Sequence, residues 1–190
     1  RARGPVGQNP PFGAVVHYVL PTGFDAAAEG APEVVLEILD GNGEVVRRLS
    51  STTPEPQAPN PWRRLFPELF EPPLLDARAG ANRWVWNLRR ADARLEDGTV
   101  LWGSASGPQV PPGTYGARLT VGDWQAEAPV VVAPDPRVEH DEAAVAARSE
   151  LAIAIWRDVT RCHHALGRLR SVREQARAIA GRSETEAVDD

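Results

Sequence analysis

Three short clusters hold the side chains best able to do chemistry. Cys162, His163 and His164 offer a thiol and two imidazoles in consecutive positions, the donor types of a zinc site. His140, Asp141 and Glu142 offer an imidazole and two carboxylates, and Asp40-Gly41-Asn42-Gly43-Glu44 carries oxygen donors in the manner of a calcium loop. Each has a simpler reading. Neighbouring residues on a helix project about 100° apart, so His163 and His164 do not converge on one ion. Cys162 falls on an apolar helical stripe, and the expectation is a buried thiol beside exposed histidines. His140-Asp141-Glu142 precedes a long helical pattern and reads as its acidic first turn, which the helix dipole favours. The Asp40–Glu44 stretch lacks the fifth-position ligand and the distal glutamate of a calcium loop. It lies between two β-branched runs and reads as a hairpin turn. No metal and no cofactor is expected. Spacing yields no nucleophile–base–acid set, Gly-rich phosphate loop or paired catalytic carboxylates, so the chain is not read as an enzyme.

Two larger sets could bind rather than react. Trp62, Trp84, Trp86, Trp102 and Trp124 could stack on sugar rings or pack a core. Trp84 and Trp86 share one face of one strand and are assigned to the core. Trp62 and Trp102 lie in loops and are the candidates for an exposed ligand or partner contact. Arg157, Arg161, Arg168, Arg170, Arg173 and Arg177 make the C-terminal helical segment basic, which marks either an acidic partner or a solvated polar face.

The elements that must position these groups follow from periodicity. Residues 1–13 are rich in Gly and Pro and read as a linker. Strands are expected near 14–20, 33–39, 44–50, 82–89, 113–121 and 124–132, because apolar and polar residues alternate there between turn residues. Trp86 and Tyr115 are expected in the core, and Pro112-Gly113 is expected to form a type II turn with a left-handed glycine. Residues 51–78 form a Pro-rich insertion into a β-sandwich domain spanning 14–133. Its prolines forbid a continuous ladder, yet Trp62, Leu65, Phe66, Leu69 and Phe70 make it too apolar for a solvated linker. Residues 134–181 are read as one long amphipathic helix and 182–190 as an acidic disordered tail. In the helix, Leu151, Ile155, Val159, Cys162, Leu166, Leu169, Val172, Ala176 and Ile179 recur at three- and four-residue steps, a nearly heptad seam.

Composition narrows the classes. The chain has 190 residues and a formal charge of −5, enough for one domain and an appendage, with a balance that argues against nucleic-acid binding. Every basic residue other than histidine is arginine and methionine is absent, so Arg1 is expected not to be a native start. No apolar run approaches the roughly 18–20 residues that span a bilayer. The single Cys162 forms no internal disulfide and leaves the compartment unread.

Three blocks carry a family likeness: GANRWVWNLR from Gly80, PPGTYGARLTVGDW from Pro111, and PVVVAPDPRV from Pro129 ahead of the helix. They resemble the C-terminal region of bacterial sortilin-like, neuraminidase-repeat proteins, often labelled glycosyl hydrolases. Asn87 stands where that family usually has an acid, and the Pro-rich insertion is this chain's own. The resemblance implies an immunoglobulin- or fibronectin III-like antiparallel β-sandwich followed by a helix, in a secreted or periplasmic protein. Any catalytic site would belong to an upstream propeller.

Together these readings predict a non-catalytic interaction or scaffolding module of a larger assembly. It would dock on another protein subunit, or on itself, through Leu151, Ile155, Val159, Leu166, Leu169 and Ile179, with Arg161 and Arg168 beside them. The alternative is a carbohydrate-binding accessory domain of a secreted glycoside hydrolase, with polysaccharide as the ligand.

Overall fold

Alternating side chains and left-handed turn residues produce six strands among the described residues. The computed structural model describes residues 11–52, 74–96, 99, 104–138 and 141–186. The fold is mainly β, with two antiparallel sheets and one C-terminal helix. By contact the chain divides into two units. One comprises Arg1–Glu55, Pro72–Ala91 and Gln109–Ala146; the other comprises Pro56–Glu71, Asp92–Pro108 and Ala147–Asp190.

The first unit holds all six strands: β1 (Ala14–Leu20), β2 (Val34–Leu39), β3 (Val45–Ser50), β4 (Gly80–Trp86), β5 (Gly113–Val121) and β6 (Trp124–Val132). One sheet pairs β1 with β4, and the other runs β3-β2-β5-β6. β2 is central in its sheet and buries Val34, Leu36 and Ile38 almost completely, with Val35 and Leu39 close behind. β6 is an edge strand whose first six residues are all exposed. Pro129 is tolerated there because an edge strand can spare a ladder donor.

One buried cluster draws on both sheets, including Tyr18 and Leu20 of β1, Trp86 of β4, Leu36 of β2 and Leu119 of β5. Trp86 is fully buried and meets Tyr115 edge to face, with ring centroids 5.3 Å apart, a favourable aromatic geometry. Its indole N–H donates to the Arg89 carbonyl at 2.9 Å, so the ring is buried without an unmet donor. Gly13 closes the same region. A Cβ there would stand 2.0 Å from the Trp86 carbonyl oxygen, so a residue expected to be linker is packed against the strand.

The turns show why the sequence blocks read as they do. In the β2–β3 hairpin the Asp40 carboxylate accepts from the N–H groups of Asn42 and Glu44, at 2.9 and 3.0 Å, and Gly43 takes φ 80°. The oxygens that resembled a calcium loop are thus used to close a turn. In the Gly80-Ala81-Asn82 segment, Gly80 takes φ 82°. Asn82 is 3 % exposed and is the one buried polar side chain among the described residues. Its Oδ1 accepts from Arg78 N–H, and its Nδ2 donates to the carbonyls of Arg78 and Gly80. Tyr115 donates its hydroxyl to the Pro111 carbonyl, four residues upstream, at 2.8 Å.

Two local expectations are corrected. The fourth strand runs from Gly80 to Trp86, not to residue 89. Leu88 adopts φ 58°, a left-handed conformation that ends the strand, and only an isolated bridge from Arg89 to Gln109 follows. Gly113 has φ 159°, close to fully extended, and opens β5 directly rather than serving as the left-handed residue of a type II turn. Beyond β6, Arg137 folds back to grip the Asp135 carboxylate through Nε and Nη2. This pairing lowers the Asp135 carboxyl pKa below its ordinary value, so the Asp-Pro-Arg block is a self-contained clasp.

Helix α1 spans Glu142–Glu186, 45 residues, or about 68 Å at 1.5 Å per residue. Asp141 is its N-cap: the carboxylate accepts from Ala143 and Ala144 N–H at 2.9 and 3.1 Å, satisfying donors that the first turn leaves open. The helix continues to Glu186, five residues into the stretch expected to be tail. None of its windows is long and apolar enough to cross a membrane.

Candidate functional site

The surface of α1 gathers most of the residues singled out from sequence, and it carries two stripes whose centres lie roughly 150° apart when each successive residue turns the helix by about 100°. The first is the expected seam. Leu151, Ile155, Leu166, Leu169, Val172 and Ile179 are 41–66 % exposed. Cys162 lies among them and is also exposed, so the expectation of a buried thiol is wrong. Val159 alone of the seam is half-buried.

The second stripe is the one that is partly covered. Ser149, Ala152, Ile153, Trp156, Thr160, His163 and Gly167 are all half-buried, at steps of three and four. Trp156 anchors it. Its Nε1 is shielded from solvent and has no hydrogen-bond partner among the described residues. The Thr160 hydroxyl folds back onto the Trp156 carbonyl at 3.0 Å.

Within the second unit, the segment around Glu96 lies against this stripe. The Glu96 N–H donates to His163 Nδ1 at 3.2 Å, which makes that nitrogen an acceptor and leaves the ring proton on Nε2. A Cβ at Gly167 would fall 2.3 Å from the Glu96 carboxylate. Glycine in mid-helix is intrinsically unfavourable by about 1 kcal/mol, and here its missing side chain makes room for that carboxylate. Glu96 also reaches Arg170 at 3.9 Å. Arg94, Glu96, His163, His164, Gly167 and Arg168 line a shallow cleft of about 240 Å³. His163 therefore belongs to the packed stripe, while His164 is exposed on the next 100° of the helix. The two imidazoles diverge as helical geometry requires, and among the described residues no three His, Cys, Asp or Glu side chains gather as a metal set would.

The basic residues lie around the seam. Arg161, Arg168, Arg170, Arg173 and Arg177 are all exposed. Arg161 pairs with Asp158 at 3.4 Å, one turn away.

The tryptophans do not form a platform. Trp86 is fully buried, Trp84 is half-buried against the same core, and Trp124 is 55 % exposed at the start of β6. Trp62, Trp102 and His140 lie outside the described residues. Trp156, the sixth tryptophan, went unread in the sequence. Its signal was available: it shares helical steps with Ala152, Val159 and His163, a second stripe apart from the seam. A scan of family models, a search of curated proteins and a search of solved structures each return no match for this chain.

Proposed function

We propose that this chain is a non-catalytic interaction module that docks another polypeptide along the exposed seam of α1. The observation that carries the reading is the contrast between the two stripes of that helix. Trp156 and its neighbours are half-buried, while six large aliphatic side chains on the other side of the helix stand in water. A contiguous apolar stripe of this kind marks an interaction surface, and long helices draw most of their stability from a packed face.

The accompanying fold reading is an immunoglobulin- or fibronectin III-like sandwich. The core common to both sheets supports it, as does the Tyr115 hydroxyl bonded back to Pro111, the arrangement of a tyrosine corner. Membership of a larger secreted or periplasmic assembly is proposed on the sequence resemblance alone.

The test is the Ile155→Glu/Leu166→Glu chain. Light scattering and co-purification should show wild type in a defined complex and the double variant as a folded monomer. A wild-type chain that stays monomeric, with the variant retaining every partner, would overturn the reading.

A further inference from the structure

The charges that border the seam say what kind of chain covers it. Resting on the docking reading above, we infer that the occupant is an amphipathic helix whose apolar stripe is flanked by Asp and Glu.

Taking Leu169 as the centre of the seam and turning about 100° per residue, Arg161 and Arg168 fall on one side of it. Arg170 and Arg177 fall on the other side, and Arg173 lies close to the seam itself. From 161 to 177 the helix has five arginines and one acid, Glu174, and all five arginines are exposed. This is the layout of helix pairs in which the charges beside the apolar seam choose the partner. Arginine suits the task because its planar fork engages a carboxylate through two hydrogen bonds.

A second copy of the chain is a poor fit. Parallel pairing in register, or antiparallel pairing centred on this stretch, sets arginine against arginine. The N-terminal part of the helix offers little relief: residues 142–158 hold Glu142, Glu150 and Asp158 against Arg148 and Arg157. An anionic lipid surface also fits less well. Interfacial helices present a broad apolar face that uses aromatic residues. Here the seam is aliphatic rather than aromatic, Arg173 interrupts it, and Trp156 is on the half-buried stripe.

Two designed five-heptad peptides test this on the intact chain: one with Leu along the seam and Glu at both flanks, and a twin with Lys for Glu. The acidic peptide should bind at least roughly tenfold more tightly than its twin, since several flanking pairs each contribute a small gain. The difference should shrink in about 0.5 M salt, which screens exposed charges. Arg161→Glu/Arg168→Glu/Arg177→Glu should reverse the preference. The matching Gln variant should abolish it while keeping the helical circular dichroism of wild type. Equal binding of both peptides, lost in Ile155→Glu/Leu166→Glu, would overturn the acidic partner and leave the docking reading standing. A homodimer that excludes the acidic peptide would overturn it in favour of a second copy. Adhesion to phosphatidylcholine–phosphatidylglycerol vesicles without peptide binding would overturn it in favour of a membrane surface. Failure to bind either peptide also overturns it, and the docking reading is then decided by the assembly state of the Ile155/Leu166 variant.

Discussion

The six-stranded unit and the helix use similar apolar side chains to opposite ends. In the strands, Leu20, Val34, Leu36, Ile38 and Trp86 are all but removed from water, and the polar groups buried with them are met by Arg89, Arg78 and Gly80 carbonyls. In α1, Leu151, Ile155, Leu169 and Ile179 are more than half exposed. A strand buries its face through neighbours on the same sheet and the sheet opposite. The segment around Glu96 meets only one stripe of the helix among the described residues, so the seam must find cover elsewhere or stay wet. The difference separates residues that hold the fold from residues free to be spent on a partner.

The largest test of that contrast is truncation to alanine in each region. Trp86→Ala should cost about 3–5 kcal/mol, because it empties a closed cavity. Leu169→Ala should change stability by less than about 0.5 kcal/mol, because its side chain is already in water. Denaturant midpoints measure both. A mild effect at Trp86, or a severe one at Leu169 in the monomer, would break the comparison.

Next in size is Asn82→Ala, expected to cost about 1–3 kcal/mol because it strands the Arg78 N–H and two carbonyls near the core. Calorimetry should show the loss confined to the transition of the strand unit. If helix unfolding shifted equally, the two regions would not be energetically separate.

Alkaline pH sharpens the comparison with a smaller effect. Both tyrosines of the chain, Tyr18 and Tyr115, lie in strands. Burial, then the nearby Asp76 charge, pushes the Tyr18 hydroxyl from 10.0 up to about 12, and it donates to the Asp76 carbonyl. Burial raises Tyr115 as well. A folded pKa above the unfolded one means that the unfolded chain loses the proton first. The associated stability is therefore intact below pH 10 and is lost as pH rises toward 12. Tyr18→Phe should flatten that decline, measured as denaturation midpoint against pH, while helical circular dichroism of α1 holds steady. A decline unchanged in Tyr18→Phe would assign the alkaline sensitivity to other groups.

How much of this was legible beforehand varies with the range of the interaction. Strand positions were readable because alternation and turn glycines act within a few residues. β1, β5 and β6 lie where their patterns put them, and the end of β4 was missed only because nothing local announces a left-handed leucine at Leu88. The role of Asn82 was not readable, since an asparagine in a polar–apolar alternation looks solvated until the turn folds over it. The start of α1 was readable because Asp141 caps its own helix through bonds two and three residues away.

The sequence by itself determined the periods: two in the strands, three to four in the helix, and hence one sheet-forming unit and one long rod. Only tertiary structure decided which side of the rod is covered. Ile155 and Trp156 are adjacent in sequence; the aliphatic seam of Ile155 has the stronger periodicity, while the stripe of Trp156 mixes Ala152 and Ile153 with Ser149, Thr160 and His163. The choice fell to contacts distant in the chain, with Glu96 against His163 and Gly167, across 67 and 71 positions. Helical geometry fixes the angle between the two stripes, but packing alone assigns one to the interior and leaves the other, with its arginine borders, to face outward.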